Sequence, residues 1–288
     1  MAKDITAVRR PALRYHGGKW ILAPWIISHF PKHRIYVEPF GGAGSVLLRK
    51  SRAFAEIYND LDGEIVSFFR VMRDAEKSAE LLRRLSLTPF AREEFDHAYD
   101  PEDCAIEAAR KLLIRSFMGF GSDGCNDGSK TGFRANSNRS GTSPAHDWSN
   151  LSASHSLIVA RLAGVVIENR PAIDCMLQHD GEETLHYVDP PYLPETRKRS
   201  KRKNYRHEMT PEEHCELLET IKSLKGSVIV SGYGSELYDE ALMGWKVVFR
   251  SAFADGASPR TEKLWINKKA EIPGLFIHER NSHTTGAK

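Results

Sequence analysis

Cysteine is scarce in this 288-residue chain: Cys104, Cys125, Cys175 and Cys215 are the only four, and no two stand in CxxC spacing. Neither a zinc knuckle nor a dithiol redox motif is therefore indicated, and no metal site is expected. Free thiols in a reducing compartment are the simpler reading. Long apolar runs are absent as well, and none approaches the roughly 18 residues a bilayer-spanning helix needs. The opening MAKDITAVRRPALRY carries charges but lacks the apolar centre of a signal peptide. A cytoplasmic protein with no membrane partner is expected. Charge of one sign is also lacking: the net charge is +3 and the pI near 8.6, so the overall balance names no partner. There are no internal repeats.

What is present fits a soluble globular chain, with 41% apolar and 27% charged residues. The length allows one large domain or a core domain with an insertion. Hydrophobic patterning predicts strands over 35–39 and 53–58, with a glycine turn and a helix over 45–50 between them. A long amphipathic helix is expected over 62–85. Strand, glycine turn, helix and second strand mark a parallel α/β sheet. From residue 89 to 150 the character changes. Helices are expected over 91–98 and 103–118, followed by a Gly-, Ser-, Asn- and Asp-rich stretch over 119–149. A loop that long is functional or disordered. Alternation resumes with a helix over 151–163 and strands over 165–168 and 185–188. A helix follows over 211–224, then a strand over 227–231, a helix over 236–242, a strand over 246–250 and a last strand over 263–267. The expected organisation is a catalytic sheet domain from residues 1–88 and 151–270, an inserted module at 89–150 and a loosely ordered tail at 271–288.

Four constellations carry chemistry. Asp189-Pro190-Pro191-Tyr192 follows an apolar strand directly. In open α/β sheets ligands bind beyond the carboxyl ends of the strands. The two prolines lack N–H groups and leave carbonyls that only accept, and an ionised Asp189 also only accepts. Such a platform suits a substrate presenting an NH₂ group, with Tyr192 able to stack on a planar base. An exocyclic amine is a poor nucleophile because its lone pair is delocalised. Two acceptors drawing on its hydrogens pull the nitrogen towards tetrahedral geometry. An ordinary strand exit ended by Pro-Pro would give the same four residues.

The second constellation is Glu38-Pro39-Phe40-Gly41-Gly42-Ala43-Gly44, where glycines at a strand-to-helix turn allow close approach of a ligand. The spacing is not GxGxxG, and the acidic Glu38 favours a cationic group, a sulfonium or an ammonium, over phosphate. A tight turn for steric reasons alone is an equal reading. Third, Asn59-Asp60 closes the second strand, where an acidic residue can hold ribose hydroxyls or cap the next helix. Fourth, Tyr15-His16-Gly17-Gly18-Lys19 precedes the first strand as a glycine turn with a lysine.

Taken in chain order, the segments resemble the Dam-type (alpha-group, D12 class) adenine-N6 DNA methyltransferases, which carry a YxGGK-like segment, an EPFxGxG-like loop, an acidic second-strand end, a target-recognition insert and DPPY. The resemblance runs over about residues 10–270 and continues through Val228–Tyr233 and Glu262–Asn267. It implies a Rossmann-like S-adenosylmethionine-dependent methyltransferase sheet with an inserted, mainly helical DNA-recognition module. It further implies that Tyr15, Lys19, Glu38, Phe40, Gly41, Gly42 and Gly44 line the S-adenosylmethionine pocket and that Asp60 holds the ribose. Asp174 takes the place of a residue contacting the cofactor adenine, although Cys175 beside it replaces the usual phenylalanine. Asp189 and Pro190 would orient the target amine, with Pro191 and Tyr192 completing the motif and Tyr192 stacking on a base flipped out of double-stranded DNA.

Candidate base readers in the insert are Arg115, Arg134, Asn136 and Arg139, since Arg and Asn read guanine and adenine edges. The run Arg197, Lys198, Arg199, Lys201, Arg202 and Lys203 directly after DPPY suits phosphate binding, or is a solvated loop. Residues 121–138 depart from the GATC-specific members, so no target sequence is assigned. In compactness the chain resembles solitary and phage-borne members. The alternatives are a cytosine-N4 enzyme, an RNA or protein-glutamine methyltransferase (these commonly have Asn in place of the first Asp) and a non-catalytic DNA-binding relative.

Overall fold

The apolar runs Thr184–Val188 and Ser227–Gly232 are buried at every position, the mark of central strands covered on both faces. A computed structural model of the chain describes residues 6–121, 130–135, 142–196, 205–253 and 259–271. In chain order the first elements are α1 (Ala23–Ile27), β1 (Ile35–Glu38), α2 (Ser45–Arg49) and β2 (Ala55–Asn59). A helical stretch follows, with α3 (Gly63–Arg73), α4 (Ala75–Leu87), α5 (Arg92–His97), α6 (Ala105–Met118), α7 (Pro144–Ser149) and α8 (Leu151–Leu162). The alternation then resumes through β3 (Val166–Glu168), α9 (Ala172–Gln178), β4 (Thr184–Val188), α10 (Pro211–Ser223) and β5 (Ser227–Gly232). Last come α11 (Glu236–Ala241), β6 (Lys246–Phe253) and β7 (Pro259–Ile266).

The strands form one 7-stranded sheet in the order β3-β2-β1-β4-β5-β7-β6. The pairs from β3 through β5 are parallel, while β7 runs antiparallel to β5 and to β6. The connections reverse direction between β1 and β4, which lie side by side with Val37 opposite His186. This is the switch point at which ligands of open α/β sheets bind. It sets the glycine loop after β1 next to the Asp-Pro-Pro-Tyr segment after β4.

Each face of the sheet is covered. On one side α6 packs on α3 and α4, and α8 on α4, α3 and α2. Their buried side chains, among them Leu47, Phe69, Leu81, Leu112 and Ile158, form one cluster with Tyr36 and Tyr187 of the sheet. Phe95 of α5 and Trp148 of α7 join it, so the helices between residues 89 and 150 are anchored in the layer that covers the sheet. A second cluster joins Leu217, Leu218 and Ile221 of α10 to Val228, Val230 and Trp265.

Several elements differ from expectation. The single helix foreseen over 62–85 is two, because Asp74 adopts extended backbone and caps α4 by accepting from the N–H groups of Glu76 and Lys77. A side-chain cap there satisfies orphan donors that a continuous helix would not have. Asp62 caps α3 in the same way through the N–H of Glu64. The Gly/Ser-rich stretch holds α7, opened by the Ser143 cap and Pro144, and a bridge between Gly119 and Phe133. Helices α1 and α9, too short for a clear 3.6-residue pattern, were not foreseen. The last two strands extend beyond 246–250 and 263–267 because they pair as a hairpin whose register runs from Lys246–Ile266 to Phe253–Pro259. No helix among the described residues is long and apolar enough to cross a membrane.

Candidate active site

An open cleft with about 890 Å³ of atom-free space, part of it open to solvent, lies over the switch point. Its wall includes Tyr15, Lys19, Glu38, Phe40, Gly41, Gly42, Asp60, Asp189 and Pro191. Residues from four distant stretches of sequence are thus brought together. On the other side of the DPPY segment, Pro190 and Tyr192 line a smaller cavity with Ser231, Gly232, Tyr233 and Tyr238.

The glycine loop is shaped by its neighbours. Gly42 and Gly44 have φ values of +46° and +61°, a region that strains other residues. A Cβ at Gly41 would lie 2.2 Å from the Tyr58 ring. Tyr58 in turn donates its hydroxyl to the Gly42 carbonyl at 2.7 Å. Asp60 accepts from the Gly42 N–H at 2.7 Å and from the Asp62 N–H at 2.8 Å, which locks the loop to the start of α3. Burial pushes the Asp60 carboxyl up, and those two N–H groups pull it back in part.

Glu38 is buried at the end of β1. Its Oε2 accepts from the Tyr36 hydroxyl at 2.7 Å and from the Leu47 N–H at 2.9 Å. Burial pushes its carboxyl up to about 8 against the pull of these donors. The hydroxyl of Ser45, also on the cleft wall, is buried without a hydrogen-bond partner among the described residues.

At the other wall Asp189 is held from three directions. Lys19 Nζ lies 2.9 Å from its Oδ2, while Ser231 Oγ donates to Oδ1 at 2.8 Å and the Tyr192 hydroxyl lies 3.1 Å from the same oxygen. The Tyr187 hydroxyl stands 3.0 Å behind Ser231 Oγ. Tyr192 also donates to Glu262 Oε1, and its ring meets Tyr233 edge to face at 4.6 Å between centroids. Burial pulls the Lys19 ammonium down, but Asp189 and Glu262 together hold it above its ordinary value.

Other sequence-derived candidates fall elsewhere. Gly44 caps α2 behind the cleft. Asp174 is exposed in the first turn of α9 and is not part of the cleft wall. Arg115 is taken up by the scaffold: it donates to the Ala98 carbonyl at 2.7 Å and pairs with Glu64, so its guanidinium ties α6 to α3. Arg134 is half-buried beside the bridge at Phe133. Asn136, Arg139, Arg197, Lys198, Arg199, Lys201, Arg202 and Lys203 lie outside the described residues.

The structure also adds residues. Ser231, Tyr233 and Glu262 hold the DPPY segment, and Tyr205, Arg206, His207, Glu208 and Met209 form a further part of the cleft wall. Arg206 reaches Asp62 at 2.9 Å and Glu64 at 2.8 Å. Glu262 opens one of the segments that carry the resemblance, but nothing local gives it a role at the site. Only the placing of β7 against β5 brings it within reach of residue 192.

Two curated proteins named DNA adenine methylase, from Escherichia coli strain K12 and Escherichia coli O157:H7, are each 33% identical to this chain over 101 residues. The matched stretch is 32% of this chain and spans about a third, 36%, of the length of either relative. The family pattern described as D12 class N6 adenine-specific DNA methyltransferase matches residues 15–251, from the Tyr15 segment through the glycine loop and DPPY to β6. By that match, over most of its length, the chain belongs to the D12 class N6 adenine-specific DNA methyltransferase family.

Proposed function

We propose that this protein transfers a methyl group from S-adenosylmethionine to the N6 amino group of adenine in double-stranded DNA. The observation that carries the reading is the adjacency, at one switch point, of a glycine-walled cleft and an acceptor-rich Asp189–Tyr192 segment. Family membership supports the same chemistry.

The residues of the cleft fit the cofactor. Glu38 Oε1 accepts no hydrogen bond among the described residues and Ser45 Oγ is a buried orphan, so both are available to a polar amino-acid end. Asp60 keeps acceptor capacity for ribose hydroxyls beyond the two N–H bonds it makes. When bound, S-adenosylmethionine supplies an electrophilic methyl group on its sulfonium. Asp189 and the Pro190 carbonyl draw on the hydrogens of the target amine and orient its lone pair. Tyr192 offers a ring face to the base, and Tyr233 sets the tilt of that ring. Positioning and fixed charge provide the catalysis. The target adenine must leave the duplex stack to reach this pocket.

DNA contact is assigned to Arg134, Asn136 and Arg139 in a recognition module formed by residues 89–150. Arg197, Lys198, Arg199, Lys201, Arg202 and Lys203 are assigned to phosphates. The test is to incubate purified protein with labelled S-adenosylmethionine and unmethylated genomic DNA and to analyse the nucleosides. Label is expected in N6-methyladenine. Label in N4-methylcytosine overturns the base assignment, and no label in DNA overturns the reaction.

A further inference from the structure

Lys19 presents a difficulty for the reaction just described. Its ammonium lies 2.9 Å from Asp189 Oδ2, and both side chains are largely buried, at 7% and 14% exposure. A cation paired this closely cancels much of the charge on Asp189. Yet the amine that Asp189 orients gains positive charge as its nitrogen bonds to the methyl carbon while the carbon–sulfur bond breaks and a neutral thioether leaves; one N–H proton is then lost to water. A neutral Lys19–Asp189 pair would offer that charge little.

Glu262 removes the difficulty. It stands on β7, two residues before Leu264, which pairs with Ser231 of β5, so the antiparallel strand delivers it to the DPPY segment. Its side chain is 4% exposed and its Oε1 lies 3.7 Å from Lys19 Nζ. The same Oε1 accepts from Tyr192. The Tyr192 hydroxyl has one proton to donate, and Glu262 takes it. Asp189 Oδ1 is then served by Ser231 and Oδ2 by Lys19, and Asp189 lines the cleft.

We propose that Glu262 is a positioning residue that balances the charge of Lys19 and fixes Tyr192, so that Asp189 presents a net negative charge to the target amine. This rests on the methyl-transfer reading above. One cation and two carboxylates leave one negative charge at the site, and without Glu262 they leave none. The groups facing Glu262 are Lys19 from the N-terminal segment and Asp189, Tyr192 and Tyr187 from β4 and its exit. Arg250, its register partner on β6, is exposed. Burial raises the Glu262 carboxyl against the pull of Lys19 and Tyr192.

The test compares wild type with Glu262→Gln, Glu262→Asp and the double variant Lys19→Met/Glu262→Gln, each in full-length form. Single-turnover methylation, KM for S-adenosylmethionine, DNA affinity and thermal unfolding are measured. Glu262→Gln is expected to lower the rate constant by about 100-fold with KM and DNA affinity within about threefold of wild type. The acid-side fall of the wild-type rate should disappear in this variant, while Glu262→Asp retains it. The double variant should exceed Glu262→Gln in rate, since removing Lys19 frees Asp189 again; if the single variant does not fold, the double variant is read against wild type, and a rate constant more than about 100-fold below it overturns the proposal. A Glu262→Gln rate within twofold of wild type, an unchanged acid limb, or a double variant slower than Glu262→Gln overturns the proposal. A wild type that does not methylate adenine overturns instead the reading on which it rests.

Discussion

The Gly42 N–H donates to Asp60 Oδ2 at 2.7 Å, so the end of β2 holds the loop that follows β1. Asp60 is therefore part of the cleft's architecture as well as a candidate for the ribose. Asp60→Ala strands the N–H groups of Gly42 and Asp62, at about 1–3 kcal/mol for each that becomes a buried orphan. The expected outcome is a lowered melting temperature together with at least a tenfold loss of S-adenosylmethionine affinity by calorimetry. Asp60→Asn, which keeps an acceptor, should lose less of both.

Gly41 is required by Tyr58 and not by its own backbone angle. An alanine there would put Cβ 2.2 Å from the Tyr58 ring, which is fully buried and tied to the Gly42 carbonyl. Gly41→Ala should destabilise the protein by about 1–3 kcal/mol through overpacking. It should also weaken cofactor binding by moving the loop. Gly132→Ala is the control, since a Cβ there meets nothing within 4 Å; its unfolding free energy should stay within about 0.5 kcal/mol of wild type.

Acid lability should begin well above the carboxylate range. Burial pushes the imidazoles of His29 and His186 down to about 4, with Asp180 opposing the shift at His186. In the unfolded chain both return to about 6.5. Between those values these two imidazoles bind more protons in the unfolded state than in the folded one, so their contribution to stability rises with pH and is lost as pH falls from about 6.5 towards 4, against the opposite contribution of the raised Glu38 carboxyl. Thermal unfolding at a series of pH values reads this directly. The double variant His29→Gln/His186→Gln should show a flatter profile across that window, whatever its absolute melting temperature.

Much of the catalytic half was legible before the fold was known, because its signals are local. A strand ending in Asp-Pro-Pro-Tyr and another ending in a glycine turn are each visible within a few residues, it is their joint order along the chain that carries the resemblance, and the sheet's switch point sets them side by side. What pattern reading missed depends on long-range pairing. Glu262 and Ser231 lie in segments that share the family resemblance, but their contacts with Asp189 and Tyr192 become visible only in the order β4-β5-β7. The break at Asp74 was missed because hydrophobic periodicity continues on both sides of it. Arg115 shows the reverse: a residue type suited to reading bases is engaged by Glu64, and composition alone cannot distinguish the two uses.

Arg206 offers a test of how the cleft wall formed by residues 205–209 is held. Its guanidinium bridges Asp62 and Glu64 at the start of α3, at 2.9 and 2.8 Å, while the other oxygen of Glu64 pairs with Arg115. The next residue back, Tyr205, comes close enough to Gly17 that a Cβ there would lie 2.4 Å from its hydroxyl. The wall thus leans on the Gly17-Gly18 turn on one side and on α3 on the other. Because Arg206 is 37% exposed, its pairs should be worth no more than about 1 kcal/mol to global stability. Arg206→Ala should therefore leave the melting temperature nearly unchanged yet weaken S-adenosylmethionine binding by about three- to tenfold, since the wall must be ordered again at each binding event. Arg206→Lys should recover only part of the loss, because an ammonium cannot reproduce the fork that reaches both carboxylates. Raising the salt concentration should weaken cofactor binding more in wild type than in Arg206→Ala, as the exposed pairs are screened. Equal cofactor affinity in wild type and Arg206→Ala at low salt would show that this wall takes no part in holding the ligand.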